Sequence, residues 1–429
     1  MSAKWNIKPP NLPALPHEVW LDIFRLATAV PGIFDGDVED PFDSPAPAGG
    51  IFIDTRAELR ALRTALVTKR YLVRVCARWR ALARPLLYEA LWVGRPHVLV
   101  SLAGALRASE ELAGGALGWH VRRLDIACVP GAEREHLLAD IVRRLPRLRV
   151  LCVSARRGGA HGRAMPAPVM AALGATCGGA LRKVWWDDDA DLQPAAPDVR
   201  ALLHAAPGVR ALVGVRLKVL EEPAPLVHRG LRFAAVPLPL RYNPQEPARL
   251  PALRQVFFDI VLNGPVDAYV VDWDGHRARS AVPAPPPALT TVYVRLHIGV
   301  VLQPLMASLG LLPDVPHLVL VGVGAITFSD ANVPAVRLPP SVTHFGVHLA
   351  RDQASNRYYR RLFAFLAALA GPALRVVRLL NARAVEDLTV RHAARLREGI
   401  RTLASQPFRL EDHRGRAFGD DEPSLGLAE

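Results

Sequence analysis

The feature that most constrains this chain is a six-residue apolar motif that returns nine times between Val121 and Leu374. Its form is apolar-x-x-apolar-x-apolar. The copies are VRRLDI from Val121, LRVLCV from Leu148, LRKVWW from Leu181, LRQVFF from Leu253, LTTVYV from Leu289, VPHLVL from Val315, VTHFGV from Val342 and LRVVRL from Leu374, with a weaker VRALVG from Val209. They recur about 30 residues apart, which is the signature of a stacked repeat array. The long interval from Val209 to Leu253 holds a Pro-rich insertion. With the first apolar residue as position zero, alternation along a strand sends positions three and five to one face and position four to the other. Leu124, Leu151, Val184, Val256, Val292, Leu318, Phe345 and Val377 are then the expected core row.

Helix-like stretches fall between the motifs, at 132–145, 166–173, 197–206, 300–312, 355–370 and 386–404. Prolines 146, 207, 251, 287, 313, 340 and 372 precede the motifs, where the chain leaves a helix and turns into the next strand. Strand plus helix per unit resembles an irregular leucine-rich repeat, although the Asn that usually follows the third apolar position is absent from most copies. A doubly wound parallel sheet is the alternative, but it lacks a nucleotide-binding fingerprint here.

Ahead of the repeats the periodicity changes. Leu15, Val19, Ile23 and Phe24 lie at helical spacing, with Pro16 suited to a first turn and Glu18 near the positive helix end. A second helical stretch from about Thr55 to Ala83 carries the rows Leu59, Leu62, Leu66 and then Leu72, Val75, Cys76, Trp79, Leu82, and Pro85 is expected to end it. Arg70, Arg74 and Arg78 would form a basic column on this helix.

The words LPHEVWLDIF and LVRVCARWRALA together resemble the F-box of the fungal type, with its L-P-x-E-[IV]-x-x-x-I-F and V-C-x-x-W signatures. The resemblance implies docking on the linker subunit of a cullin-RING (SCF-type) ubiquitin ligase through Leu15, Pro16, Val19, Ile23, Phe24, Leu72, Val75, Cys76 and Trp79. It departs from the family between residues 30 and 55, where VPGIFDGDVEDPFDSPAPAGGIFID, rich in Pro, Gly and Asp, replaces a short link. That composition reads as a loop.

The chain is 51% hydrophobic, enough for a substantial core, and carries a net charge of +13. Only Lys4, Lys8, Lys69, Lys183 and Lys218 are lysines, and the arginines are spread along the chain, so a clustered nucleic-acid footprint is not expected. Cys76, Cys128, Cys152 and Cys177 lack metal or disulfide spacing, which fits reduced thiols in cytoplasm or nucleus. The opening MSAKWNIKPP has no apolar signal core, and no stretch is long enough to span a bilayer. Phosphate loops, nucleophile elbows and zincin helices are absent as motifs. The acidic groups Asp187, Asp188, Asp189, Asp191 and Asp272, Asp274 lack the residues that complete a calcium loop. His344 and His348 lie too far apart along a strand to share a metal. No catalytic, cofactor or metal residue is expected.

Position four should face away from the core, and there the chain holds Trp185, Phe257, Tyr293 and Arg378, residue types that dominate interfaces. This strip is the expected target-binding face, unless an insertion such as 221–251 or 282–287 folds over it. The expected architecture is α/β: a tail (1–14), an all-α F-box-like module (15–93, with the inserted loop 30–55), a leucine-rich-repeat-like solenoid of strand–helix units (94–406) and a flexible tail (407–429). The expected function is that of a non-enzymatic substrate-recognition adaptor whose partners are the linker subunit, the cullin scaffold and an unknown target. A scaffold without ligase linkage and a basic nucleic-acid binder are the other two readings.

Overall fold

Five of the motifs lead with a proline-containing turn. In the computed structural model, which describes residues 15–43, 55–111, 116–128, 134–154, 163–187, 190, 192–214, 227–237, 250–260, 288–296, 314–322, 335–349 and 355–418, Leu148 N donates to Leu145 O and Val209 N to Ala206 O, each at 3.1 Å. Leu253 to Leu250, Val342 to Pro339 and Leu374 to Gly371 repeat the pattern. In all five, a proline occupies the second residue of a four-residue turn, where its fixed φ is already correct. The turn reverses the chain and delivers it into a strand.

Twelve strands follow in order: β1 (Ala90–Val93), β2 (Arg123–Ile126), β3 (Val150–Val153), β4 (Lys183–Trp186), β5 (Ala211–Val213), β6 (Phe233–Pro237), β7 (Gln255–Ile260), β8 (Thr291–Leu296), β9 (His317–Val321), β10 (His344–His348), β11 (Val376–Leu379) and β12 (Arg409–Glu411). Every neighbouring pair is parallel, and order in space is order in the chain. A doubly wound sheet reverses its strand order at a switch point, so that alternative is excluded. The sheet remains open, with β1 and β12 at its edges.

Register follows the motif. Leu124, Leu151, Val184, Leu212, Ala234, Val256, Val292, Leu318, Phe345, Val377 and Leu410 are aligned strand to strand in a single row. This row is buried against helices that return each unit, among them α4 (Pro96–Glu110), α5 (Glu135–Arg143), α6 (Ala167–Ala172), α7 (Ala196–Ala205) and α8 (Asn356–Ala367). Each leucine or valine so buried contributes about 1.5–3 kcal/mol.

Several boundaries differ from the sequence reading. The interval after Val209 contains another strand, β6, whose alanines weaken its motif. The sheet begins at Ala90, before the expected boundary at 94. It ends beyond 406, because β12 (409–411) pairs with β11 and Phe408 and Leu410 are buried, so the first part of the expected tail belongs to the folded sheet. The helix expected at 386–404 is two, Ala382–Val390 and Ala393–Leu403. The helix expected at 300–312 lies outside the described residues.

At the N-terminus, α1 (His17–Thr28), α2 (Thr55–Val75) and α3 (Ala77–Tyr88) form the helical module. The second stretch is not one helix: Cys76 is extended (φ −159°, ψ 171°) and its Sγ accepts from Trp79 N at 3.4 Å, capping α3. The arginine column is therefore split, and Arg78 turns back to donate to Leu15 O at 2.8 Å. Nor does Pro85 end α3, which forfeits one hydrogen bond and continues to Tyr88. Trp79 packs on Trp20 (5.0 Å between ring centroids) and Phe24 (4.8 Å), holding α1 against α3.

Candidate interaction surfaces

The helical module buries Trp20 and Phe24 and leaves several apolar side chains exposed. Val19 and Ile23 (each 41% exposed) stand with Leu26 along α1, at spacings of four and three residues. Val67, Tyr71 and Val75 (54% exposed) form a second column at spacings of four along α2. Of the residues implied by the F-box words, Pro16, Val19, Ile23 and Val75 are exposed, and Leu15, Leu72, Cys76 and Trp79 are half-buried. Phe24 is only 1% exposed, packed between Trp20 and Trp79, so it supports the surface and does not form it.

The module is tied firmly to the sheet. Leu62 and Leu66 of α2 pack with Ile33 and Ala90, and Lys69 pairs with Glu89 at 3.6 Å. Arg123 of β2 is almost fully buried, holding both carboxylate oxygens of Asp125 (2.8 and 2.9 Å), the carboxylate of Glu58 on α2 and the carbonyl of Ile33 (3.0 Å).

The expected target-binding strip is a correction. Trp185, Phe257, Tyr293 and Arg378 do share the face opposite the core row, but all four are buried, Tyr293 completely. Among the described residues, what covers this inner face is the segment after α1, residues 30–43; of the Pro-rich stretches, 282–287 and most of 221–251 lie outside the described residues. The physical reason is a succession of specific anchors. Asp37 pairs with Arg210 (2.6 Å) and reaches Arg232 (3.6 Å), and Val38 O accepts from Gln255 Nε2 at 2.8 Å. Asp40 accepts from Thr291 Oγ1, from His317 Nδ1 at 2.9 Å and from Phe42 N at 3.0 Å. Pro41 O accepts from Arg378 Nη1 at 2.5 Å. Phe42 sits between His317 (4.9 Å) and His344 (5.2 Å), with the Arg378 guanidinium over its ring.

Two glycines make this close approach possible. A Cβ on Gly36 would lie 2.2 Å from the Cβ of Arg182, and one on Gly346 would press on Leu380, Val319 and the Phe42 ring. Gly346 has no side chain where its strand neighbours carry Val319 and Arg378, and the Phe42 ring lies against that gap. Residues 30–43 of the inserted loop thus form an ordered strap, with Val38 and Phe42 packed on the same apolar cluster as Trp185, Phe257 and Tyr293.

The strap's electrostatics follow from these contacts. Burial alone would raise the Asp40 carboxyl, but the hydrogen bond and charge of His317, then Thr291 and the Phe42 amide, bring it below its usual range. Burial, with the neighbouring positive charges of His317 and Arg378, lowers the His344 imidazole. Burial pushes the Cys152 and Cys177 thiols up to about 12, so both stay protonated and unreactive near neutrality. Among the described residues no three His, Cys, Asp or Glu side chains gather as a metal site, and no helix is long and apolar enough to cross a membrane. Asp188, Asp189, Asp191, Asp272 and Asp274 lie outside the described residues.

One surface was not anticipated. Arg122, Arg149, Arg182, Arg210, Arg232 and Arg254 each occupy position one of a motif, and their backbones bond in series at 2.7–2.8 Å. Six arginines scattered through the chain thereby become one row along the leading edge of the sheet. Aligning the motif copies would have revealed it, since the letter after the anchor reads R in six of the nine, five of them the first five copies in the chain. No protein-family model matches the chain, and no curated protein matches it.

Proposed function

We propose that this chain is a substrate-recognition adaptor of a cullin-RING (SCF-type) ubiquitin ligase, with α1–α3 docking on the linker subunit and the repeat sheet presenting a target protein. The observation that carries the reading is the pair of exposed apolar columns, Val19–Ile23–Leu26 on α1 and Val67–Tyr71–Val75 on α2, in a module whose three helices share one cluster of Trp20, Phe24, Leu72, Val73 and Trp79. Contiguous exposed apolar side chains on an otherwise well-packed module favour a protein partner. The F-box words LPHEVWLDIF and LVRVCARW fall on these same helices, and Pro16, Val19, Ile23 and Val75 are accessible there. The rest of the chain suits a non-catalytic role: a stacked parallel sheet offers a long, rigid surface.

The ties between module and sheet support the adaptor role in a second way. Arg123, Glu58 and the strap join α1 and α2 to the strands, which would hold a bound target at a fixed position relative to the ligase. Co-purification of the intact chain with a ligase linker subunit tests the reading. A stable complex is expected, lost in Ile23→Asp and in Val75→Asp while the thermal melt is unchanged, because both side chains are solvent-facing. Failure of the wild-type chain to retain the linker subunit, or retention by both variants, would overturn it.

A further inference from the structure

The row of arginines at the leading edge of the sheet has a partner requirement of its own. Adjacent rungs stand about 4.8 Å apart, the spacing of paired strands, so the backbones of six arginines are held in one line. Like charges so close repel one another. Burial, then the charge of Arg149, depresses the Arg122 guanidinium below its ordinary value. Among the described residues no carboxylate pairs with Arg147, Arg149 or Arg254, all of them exposed, and Arg147 stacks on the exposed ring of Trp119 at 4.9 Å.

A groove of about 1060 Å³ lies here, lined on its basic side by Arg122, Arg147, Arg149, Arg182 and Arg210. The strap shows how the row is recognised. Its acidic stretch, Asp35 to Glu39, lines the same groove, and a single carboxylate, Asp37, spans two rungs at Arg210 and Arg232. The chain supplies this much of an acidic ligand from its own sequence, and among the described residues other rungs are left without a carboxylate.

We propose that the arginine row and its groove dock an extended acidic segment of a partner protein, laid beside the strap so that its carboxylates meet Arg147, Arg149 and Arg254. A peptide is favoured over a nucleic acid by the wall of the groove. Asp35, Asp37, Glu39 and Glu89 line it as well, and an unbroken run of phosphates would meet them, whereas a peptide can set uncharged residues there. This inference is independent of the ligase reading, because the row exists whether or not the helices engage a linker subunit.

The test is fluorescence anisotropy on the full chain with a labelled peptide of alternating Glu and Gly. Binding is expected to weaken as salt rises and to fall about tenfold or more in the double variant Arg149→Glu with Arg254→Glu. Arg360→Glu, exposed on α8, is the control and should change affinity less than about twofold. Should the charge-reversed variant fail to fold, Arg149→Gln with Arg254→Gln decides, with a loss of about threefold expected and an unchanged affinity overturning the proposal. Absence of peptide binding, or an equal loss in Arg360→Glu, would also overturn it. So would tighter, row-dependent binding of a single-stranded oligonucleotide of equal length, which would reassign the surface to nucleic acid. The titration uses this chain alone, so its failure and a failure of linker-subunit binding are separate results.

Discussion

Replacing Asp40 by alanine should release the strap from the inner face of the sheet without unfolding the sheet. The Asp40 carboxylate accepts hydrogen bonds from Thr291 Oγ1, His317 Nδ1 and Phe42 N, in a site where its side chain is almost wholly enclosed. At about 1 kcal/mol net per bond, more for a charged acceptor and less for the carboxylate burial that the variant avoids, the loss is about 3 kcal/mol. That corresponds to roughly a hundredfold in the equilibrium between docked and open strap. Amide hydrogen exchange in residues 33–43 measures this opening directly, and it should accelerate by that factor while exchange in β3 and β10 is unaltered. Asp40→Asn should fall between, since its remaining oxygen still accepts from Phe42 N. An acceleration below about threefold in Asp40→Ala would refute the assignment of Asp40 as an anchor. The sign with pH is fixed by the same contacts. A carboxyl lowered from 3.8 in the folded state contributes stability that is present above that value and is lost as pH falls through the folded one. His344, lowered from 6.5, makes an earlier contribution: the folded state favours its neutral form, so docking weakens as pH falls below 6.5 toward the folded value. Strap exchange should therefore quicken in two steps on acidification.

Tyr293→Ala should melt the sheet early, by about 3 kcal/mol, because a wholly buried ring and its hydroxyl bond to Gln255 Oε1 (2.9 Å) are both lost; an unchanged melt would mean that the strap does not cover this face. Glu411→Gln should cost about 3 kcal/mol, since Arg378 would lose its buried counter-charge at 2.7 Å; thermal melts that match the wild type would show that β12 is dispensable. Trp79→Ala removes ring contacts to Trp20 and Phe24 and should destabilise the helical module by about 2 kcal/mol, read as faster exchange in 17–28 with the sheet unaffected.

The parts of this fold that were legible in the sequence are those governed by local period. Positions three and five of the motif are apolar because they meet the helix layer, so the row from Leu124 to Val377 could be written down before any coordinates. Strand β6 escaped because Ala234 and Ala235 stand where the other copies carry larger side chains. The break at Cys76 escaped because the apolar rows on either side run on in phase, and only the cap geometry separates them. The strap was illegible for a deeper reason. DGDVEDPF has the composition of a loop, and what orders it is a set of partners at Gln255, Thr291, His317 and Arg378, hundreds of residues away, with no local pattern to announce them. The large side chains at position four were legible as a face, while the choice between a binding partner and a covering segment of the chain, and which segment, was not, because both leave the same letters.

The most direct test of the account is hydrogen exchange across the whole chain in the presence and absence of a ligase linker subunit. Protection is expected in 17–28 and 67–75, where the apolar columns stand, and no change in 33–43, where the strap is already docked on the sheet. Exchange in both helices that is unaltered at saturating linker subunit would contradict the account.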